Sequence, residues 1–238
     1  MAARLPTTRW SRVIRASDSA DPGARTALEE LCRDYWFPLY AFVRRHGLSP
    51  DEGEDIVQGL FADLIERGDM ASMDQSKGRF RSFLRAACEH YLANRRDHVR
   101  PAKRGGGVTI VSINRLDAES RYDREPAHEL TAERLFERQW ALTVLSRVLE
   151  RFEVEAVQAG KWTLFARLRP ALQGDELAPS YAAIGAELGM SDGAVRVAAH
   201  RLRARYRELL REEVGRTTDE PTAIDSEIAD LLATLASH

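Results

Sequence analysis

The stretch that most constrains the fold is Ser180 to Arg211, SYAAIGAELGMSDGAVRVAAHRLRARYRELLR. Ile184, Leu188, Met190 and Val195 are apolar at the spacing that lets two short helices close on each other. Gly185 is small where those helices approach. Gly189 falls where a tight turn needs a positive φ, which costs glycine little. The second helix then carries Arg196, His200, Arg201, Arg203, Arg205, Arg207 and Arg211, opposed by Glu208. A basic helix behind a tight turn suits the DNA major groove, because its cations neutralise phosphates while its first residues reach base edges. The alternative is a surface hairpin with solvated arginines. Turn, core spacing and one-sided charge agree with each other and favour the DNA reading.

The rest of the chain must accommodate that element. Its 238 residues suffice for one large domain or two small ones. Hydrophobic content of 44% and charged content of 30% mark an ordinary globular chain. A net charge of −2 excludes a uniformly basic coat, so any nucleic-acid surface is local and offset by acidic regions elsewhere. No apolar run approaches the ~20 residues of a membrane span. MAARLPTTRWSR at the start lacks the apolar core of a secretory signal, so no membrane insertion and a cytoplasmic location are expected. Cys32 and Cys88 give neither a disulfide framework nor a CxxC zinc pair, and both read as buried thiols. His128-Glu129 lacks the second histidine of HExxH, and no nucleophile–base set is recognisable. Neither catalysis, nor a metal, nor a cofactor is expected.

Glycine and proline mark the joints, and little between them alternates like a strand, so the expected class is all-α. A helical turn is expected at Trp10 to Ala16, then a helix from about Ala24 to His46, which Pro38 should kink or interrupt. Gly47 closes it, and Ser49 and Pro50 are placed to cap and start the next helix, PDEGEDIVQGLFADLIE. Asp51, Glu52, Glu54 and Asp55 crowd the start of that helix. They compensate its dipole or offer a surface to a basic partner. After a loop at 67–76, a third helix is expected from about Gly78 to Val99, with Phe80, Phe83, Leu84, Ala87 and Tyr91 as its buried stripe. A second basic patch, Lys77 to Arg104, includes Arg79, Arg81, Arg85, Arg95, Arg96, Arg100 and Lys103. It has the chemistry to hold phosphates and, with its aromatics, to stack or pocket an unstacked base. The alternative is a solvated face over core phenylalanines.

Gly105-Gly106-Gly107 opens a linker, 105–129, between two helical domains, 1–104 and 130–215. The second domain is expected to run through helices at Thr131 to Gln158 and Trp162 to Leu172 into the helix-turn-helix. The tail, 216–238, has Ile224, Ile228, Leu231, Leu232 and Leu235 on one face and acids among its polar positions. An isolated helix of this length is marginal in water, so it should dock on its own domain, bind a regulator, or cover the basic helix before it.

The blocks EDIVQGLF, FRSFLRAACEHYLANRRDH and SYAAIGAELGMSDGAVRVAAHRLRARYRELL together resemble the extracytoplasmic-function (ECF) sigma factors, a branch of the sigma-70 family. The likeness covers about Ala24 to Arg104 and Leu130 to Val214. It implies sigma domain two in the first unit, sigma domain four in the second, and promoter-specific initiation by bacterial RNA polymerase. By that resemblance Glu54, Asp55, Gln58 and Phe61 would meet the clamp of the largest polymerase subunit. The flap of the second-largest subunit would meet domain four. Arg79 and Phe80 fall in and beside the region that captures the −10 element, His90 and Asn94 would guide the opened strand, and Arg95, Arg96, Arg100, Lys103 and Arg104 would hold phosphates upstream. Arg196, Val197, His200 and Arg201, followed by Arg203 and Arg205, fall where the family reads the −35 element. The linker would run toward the polymerase cleft. An anti-sigma factor or a regulatory kinase is a further partner the resemblance allows. His90 stands where many members have asparagine, and Val197 and Ala198 stand where polar residues are common. A helix-turn-helix regulator that does not bind polymerase is the alternative.

Overall fold

A computed structural model of the chain describes residues 22–66, 80–97, 115–125, 130–175, 177–215 and 224–236. Among them every regular element is an α-helix: α1 Ala24–Arg45, α2 Pro50–Glu66, α3 Phe80–Asp97, α4 Arg115–Tyr122, α5 Ala132–Gln158, α6 Trp162–Leu172, α7 Tyr181–Leu188, α8 Asp192–Gly215 and α9 Ile224–Ala236. The helical turn expected at Trp10 to Ala16 lies outside the described residues. The chain divides into two compact units, Met1–Thr143 with Gly215–His238, and Val144–Val214.

In the first unit α1 packs on α2 and α3, and α2 packs on α3 and α4. Pro38 is buried and does not interrupt α1. Proline removes one helical N–H, but Phe37, Leu39, Tyr40 and Phe42 around it are all buried. Burying each such side chain stabilises by about 1.5–3 kcal/mol, so packing holds the helix through the proline. Tyr35 meets Phe80 edge-on at 5.2 Å, and Phe42 meets Phe136 of α5 at 6.3 Å. Cys32 and Cys88 are buried free thiols, each pushed up to about 12 by burial. Ser49 and Glu52 form a capping box: the Ser49 hydroxyl accepts from the Glu52 N–H at 3.4 Å, and the Glu52 carboxylate accepts from the Ser49 N–H at 2.9 Å.

Two elements of this unit depart from the sequence expectation. Within the proposed linker, residues 115–122 form α4, with Ala118 buried. The Glu119 carboxylate accepts from the Tyr40 hydroxyl and from Arg44 Nη2 at 2.6 Å and Nε at 3.2 Å. The Arg121 guanidinium lies 3.7 Å over the Phe37 ring. Eight residues of weak apolar content become helical because α1 supplies partners for their charges. The remaining linker residues, 105–114 and 126–129, lie outside the described residues.

The second departure is the tail. Helix α9 belongs to this unit, with Leu231 buried. Glu227 pairs with Arg81 of α3, and their side chains are 4% and 8% exposed. Arg81 also lies 2.8 Å from Glu137 and sits 4.0 Å over the Trp140 ring, both on α5. Arg81, counted with the basic patch in the sequence, is thus an interior group. Within the unit, Glu227 of the tail covers Arg81.

The second unit consists of the C-terminal half of α5 with α6, α7 and α8. Phe152 and Phe165 meet edge-on at 4.8 Å, and Val144, Val148, Leu209, Leu210 and Val214 are buried. Surface ion pairs lace its helices together. Arg205 of α8 pairs with Glu155 of α5 at 2.8 Å, Arg169 of α6 pairs with Glu153 at 2.9 Å, and Arg151 pairs with Glu212. The end of α5 thus supplies Glu153 and Glu155 to arginines on α6 and α8.

Candidate nucleic-acid interface

The interface is built locally. The Ser180 hydroxyl caps α7 by accepting from the Ala183 N–H at 3.2 Å, and Ser191 caps α8 by accepting from the Ala194 N–H at 3.2 Å. Gly189 closes α7 in the left-handed region, at φ 66. The Met190 N–H donates to the Gly185 carbonyl at 2.8 Å. A Cβ on Gly185 would lie 2.6 Å from the Met190 carbonyl oxygen, so the turn crosses α7 where no side chain fits. Leu168, Ile184, Val195 and Ala199 form the core beneath, with Leu188, Met190 and Leu202 packed on it. Burying Val195 and Ala199 fixes which face of α8 points outward.

That outward face carries Arg196, Val197, His200, Arg201 and Arg203, all exposed. The Arg196 Nε donates to Asp192 at 2.8 Å, a bond that raises the arginine's already high pKa. Its guanidinium also lies 5.6 Å over the Tyr181 ring. The Arg203 Nη2 donates to the Tyr181 hydroxyl at 2.8 Å. Tyr181, at the start of α7, therefore orients two cations of α8 at once. The sequence reading missed it, because no local pattern pairs residues 22 positions apart. Among the described residues Arg201 and His200 form no ion pair and project into solvent. Arg205 differs from them. Its guanidinium is held by Glu155, Glu208 and Glu212, and all three raise its pKa, Glu155 most. Glu155 is in turn held below the ordinary carboxylate range, chiefly by its bond to Arg205. Arg205 braces α8 on α5, and Arg196 to Arg203 form an exposed strip in which Arg196 is tied to Asp192 and Arg203 to Tyr181.

The residues named for the −10 element are distributed less evenly. His90 and Asn94 are exposed on α3. Phe80 is 6% exposed and its ring lies against Tyr35 and Phe83, which leaves no face for a base. Arg95 and Arg96 lie on α3; their side chains, and all of Arg79, Arg100, Lys103 and Arg104, lie outside the described residues. The loop at 67–76 does too. On α2, Asp55 is exposed and Glu54 accepts from the Gln58 amide at 2.9 Å. Phe61 is 5% exposed and serves the core. Glu52 is occupied by the capping box. Among the described residues no group of three metal-ligating side chains is gathered, and no helix is long and apolar enough to cross a membrane. No family model matches the chain, and neither a curated protein nor a solved structure does.

Proposed function

We propose that this chain is a promoter-specificity subunit of bacterial RNA polymerase, of the ECF sigma-factor kind, acting in the cytoplasm. The observation that carries the reading is the exposed strip of α8, Arg196 to Arg203, presented by a capped and sterically fixed turn. A helix so presented enters the major groove, where it neutralises phosphates and contacts base edges. The likeness of EDIVQGLF and of the α3 sequence to sigma domain two extends the reading to polymerase. Asp55, Glu54 and Gln58 would meet the clamp, and the second unit would meet the flap. His90, Asn94 and the arginines at the end of α3 would hold the opened −10 strand. Phe61 and Phe80 act through the core beneath these surfaces. No catalytic step is assigned to the chain.

The exposed strip of α8 favours a second reading equally well, a helix-turn-helix regulator that works without polymerase. Binding to core polymerase separates them. The sigma reading expects a stable complex between the purified chain and core enzyme, weakened by Asp55→Arg. A chain that never associates with core polymerase, yet binds duplex DNA by itself, establishes the regulator instead.

A further inference from the structure

The exposed strip of α8 is not uniformly charged. Val197 is 51% exposed near its N-terminal end. On a helix its surface neighbours are the residues three and four positions away. These are Gly193 and Ala194 on one side and His200 and Arg201 on the other, all exposed. The space in front of Gly193 is open, with nothing within 4 Å of a Cβ built there. Val197, Gly193 and Ala194 thus form a small apolar island at the N-terminal end of the strip, bordered by Arg196, His200 and Arg201. A β-branched residue gains little for helix stability there, and its methyls face water in the free protein. Phosphates offer such an island nothing. On the base edges of the major groove the one apolar group is the C5-methyl of thymine. The small residues beside Val197 admit the base edge closely, and the flanking cations hold the helix in the groove.

We propose that Val197 reads the methyl group of one thymine in the upstream duplex element. This rests on the reading of α8 as a groove-binding helix. The residue four positions on, Arg201, lies about 6 Å further along the helix, so it would face a position within about two base pairs of that thymine. The apolar contact sets the identity of that base, and Arg201 sets a neighbouring one.

The test uses the full-length chain bound to core polymerase. Upstream duplexes are selected from a random library, and each thymine of the selected element is replaced in turn by deoxyuridine, which removes the methyl and nothing else. Wild type is expected to lose about three- to fivefold in affinity at one position, the amount burial of one methyl group supplies. Val197→Ala is expected to bind thymine and uracil equally there. Val197→Thr, which keeps one methyl, is expected to retain part of the preference. Thermal unfolding of both variants checks that α8 is intact. Wild type indifferent to every uracil, or Val197→Ala as methyl-sensitive as wild type, overturns the inference while leaving groove binding in place. If no duplex is selected by the complex or by the chain alone, the DNA-reading function falls and this inference falls with it.

Discussion

Arg81 and Arg201 belong to sequence stretches of similar basic character, yet the two units use them in opposite ways. Arg81 is turned inward, stacked over Trp140 and paired with Glu227 and Glu137, so its charge holds a helix bundle together. Arg201 is turned outward with no ion-pair partner among the described residues. The second unit repeats the contrast along one helix. Arg205, one turn beyond Arg201, is claimed by Glu155, Glu208 and Glu212. A run of arginines therefore says little about binding until each has been checked for an acid within reach. The first unit keeps its decisive charges buried, and the second keeps them on the surface. The two should fail under different insults.

The largest effect is expected at the buried pair. Glu227→Ala leaves Arg81 charged and desolvated, with Glu137 as its remaining acidic partner among the described residues. The first unit should lose about 3–5 kcal/mol, read by urea unfolding followed through tryptophan fluorescence. Removal of α9 should have the same effect, so a chain truncated after Gly215 loses stability in its first unit. A loss below about 1 kcal/mol would mean that the pair is no more than a surface contact. Next comes alkali. The Cys32 and Cys88 thiols are pushed up to about 12 in the folded unit, whereas unfolded thiols titrate near ~8.5. Both groups have raised folded pKa values, so their contribution is complete below the unfolded pKa and is lost as pH rises toward 12. At pH 10 each thiol should have cost on the order of 2 kcal/mol, and replacing both with alanine should flatten the dependence. A stability unchanged from pH 8 to pH 10 would contradict the burial of these thiols.

Smaller effects belong to the second unit. Gly185→Ala drives a methyl against the Met190 carbonyl, a clash that cannot be relieved by rotating a side chain. It should cost about 1–3 kcal/mol and disturb the presentation of α8. Arg201→Ala should weaken binding to a selected upstream duplex by about 1–3 kcal/mol if its contact is bidentate to guanine, with the folded state unchanged. Glu155→Ala should be mildest, at about 0.2–1 kcal/mol, fading as salt is added. Glu155 has a depressed folded pKa, so its contribution is present above ~4.3 and lost as pH falls through the folded value. An Arg205→Ala variant that loses DNA binding as completely as Arg201→Ala would erase the division drawn along α8.

What could be read from the sequence was what is encoded locally. The all-helical class, the cap Ser49 and the turn at Gly189 all depend on residues a few positions apart. So does the outward direction of Arg196 to Arg203, since buried Val195 and Ala199 fix it. Long-range partners were not legible. Nothing in FRSFLR announces that Arg81 meets an acid 146 positions later, and nothing in RLDAESRY reveals that Tyr40 and Arg44 await Glu119. Nor does Pro38 announce that α1 continues through it, because the packing that carries the helix comes from other helices. The division between units falls within α5 rather than at the glycine triplet, because α4 and the first half of α5 belong with α1. Composition records where a chain is polar and cannot record what it docks on.

The most direct measurement is reconstituted transcription. Core polymerase and the purified chain are given a library of promoters, and the initiated transcripts are sequenced. Initiation from a defined subset of promoters is expected only when the chain is present. Arg201→Ala should reduce initiation through the upstream element, and Arg205→Ala should leave the choice of promoter unchanged. Core polymerase that initiates identically with and without the chain would contradict the proposed function.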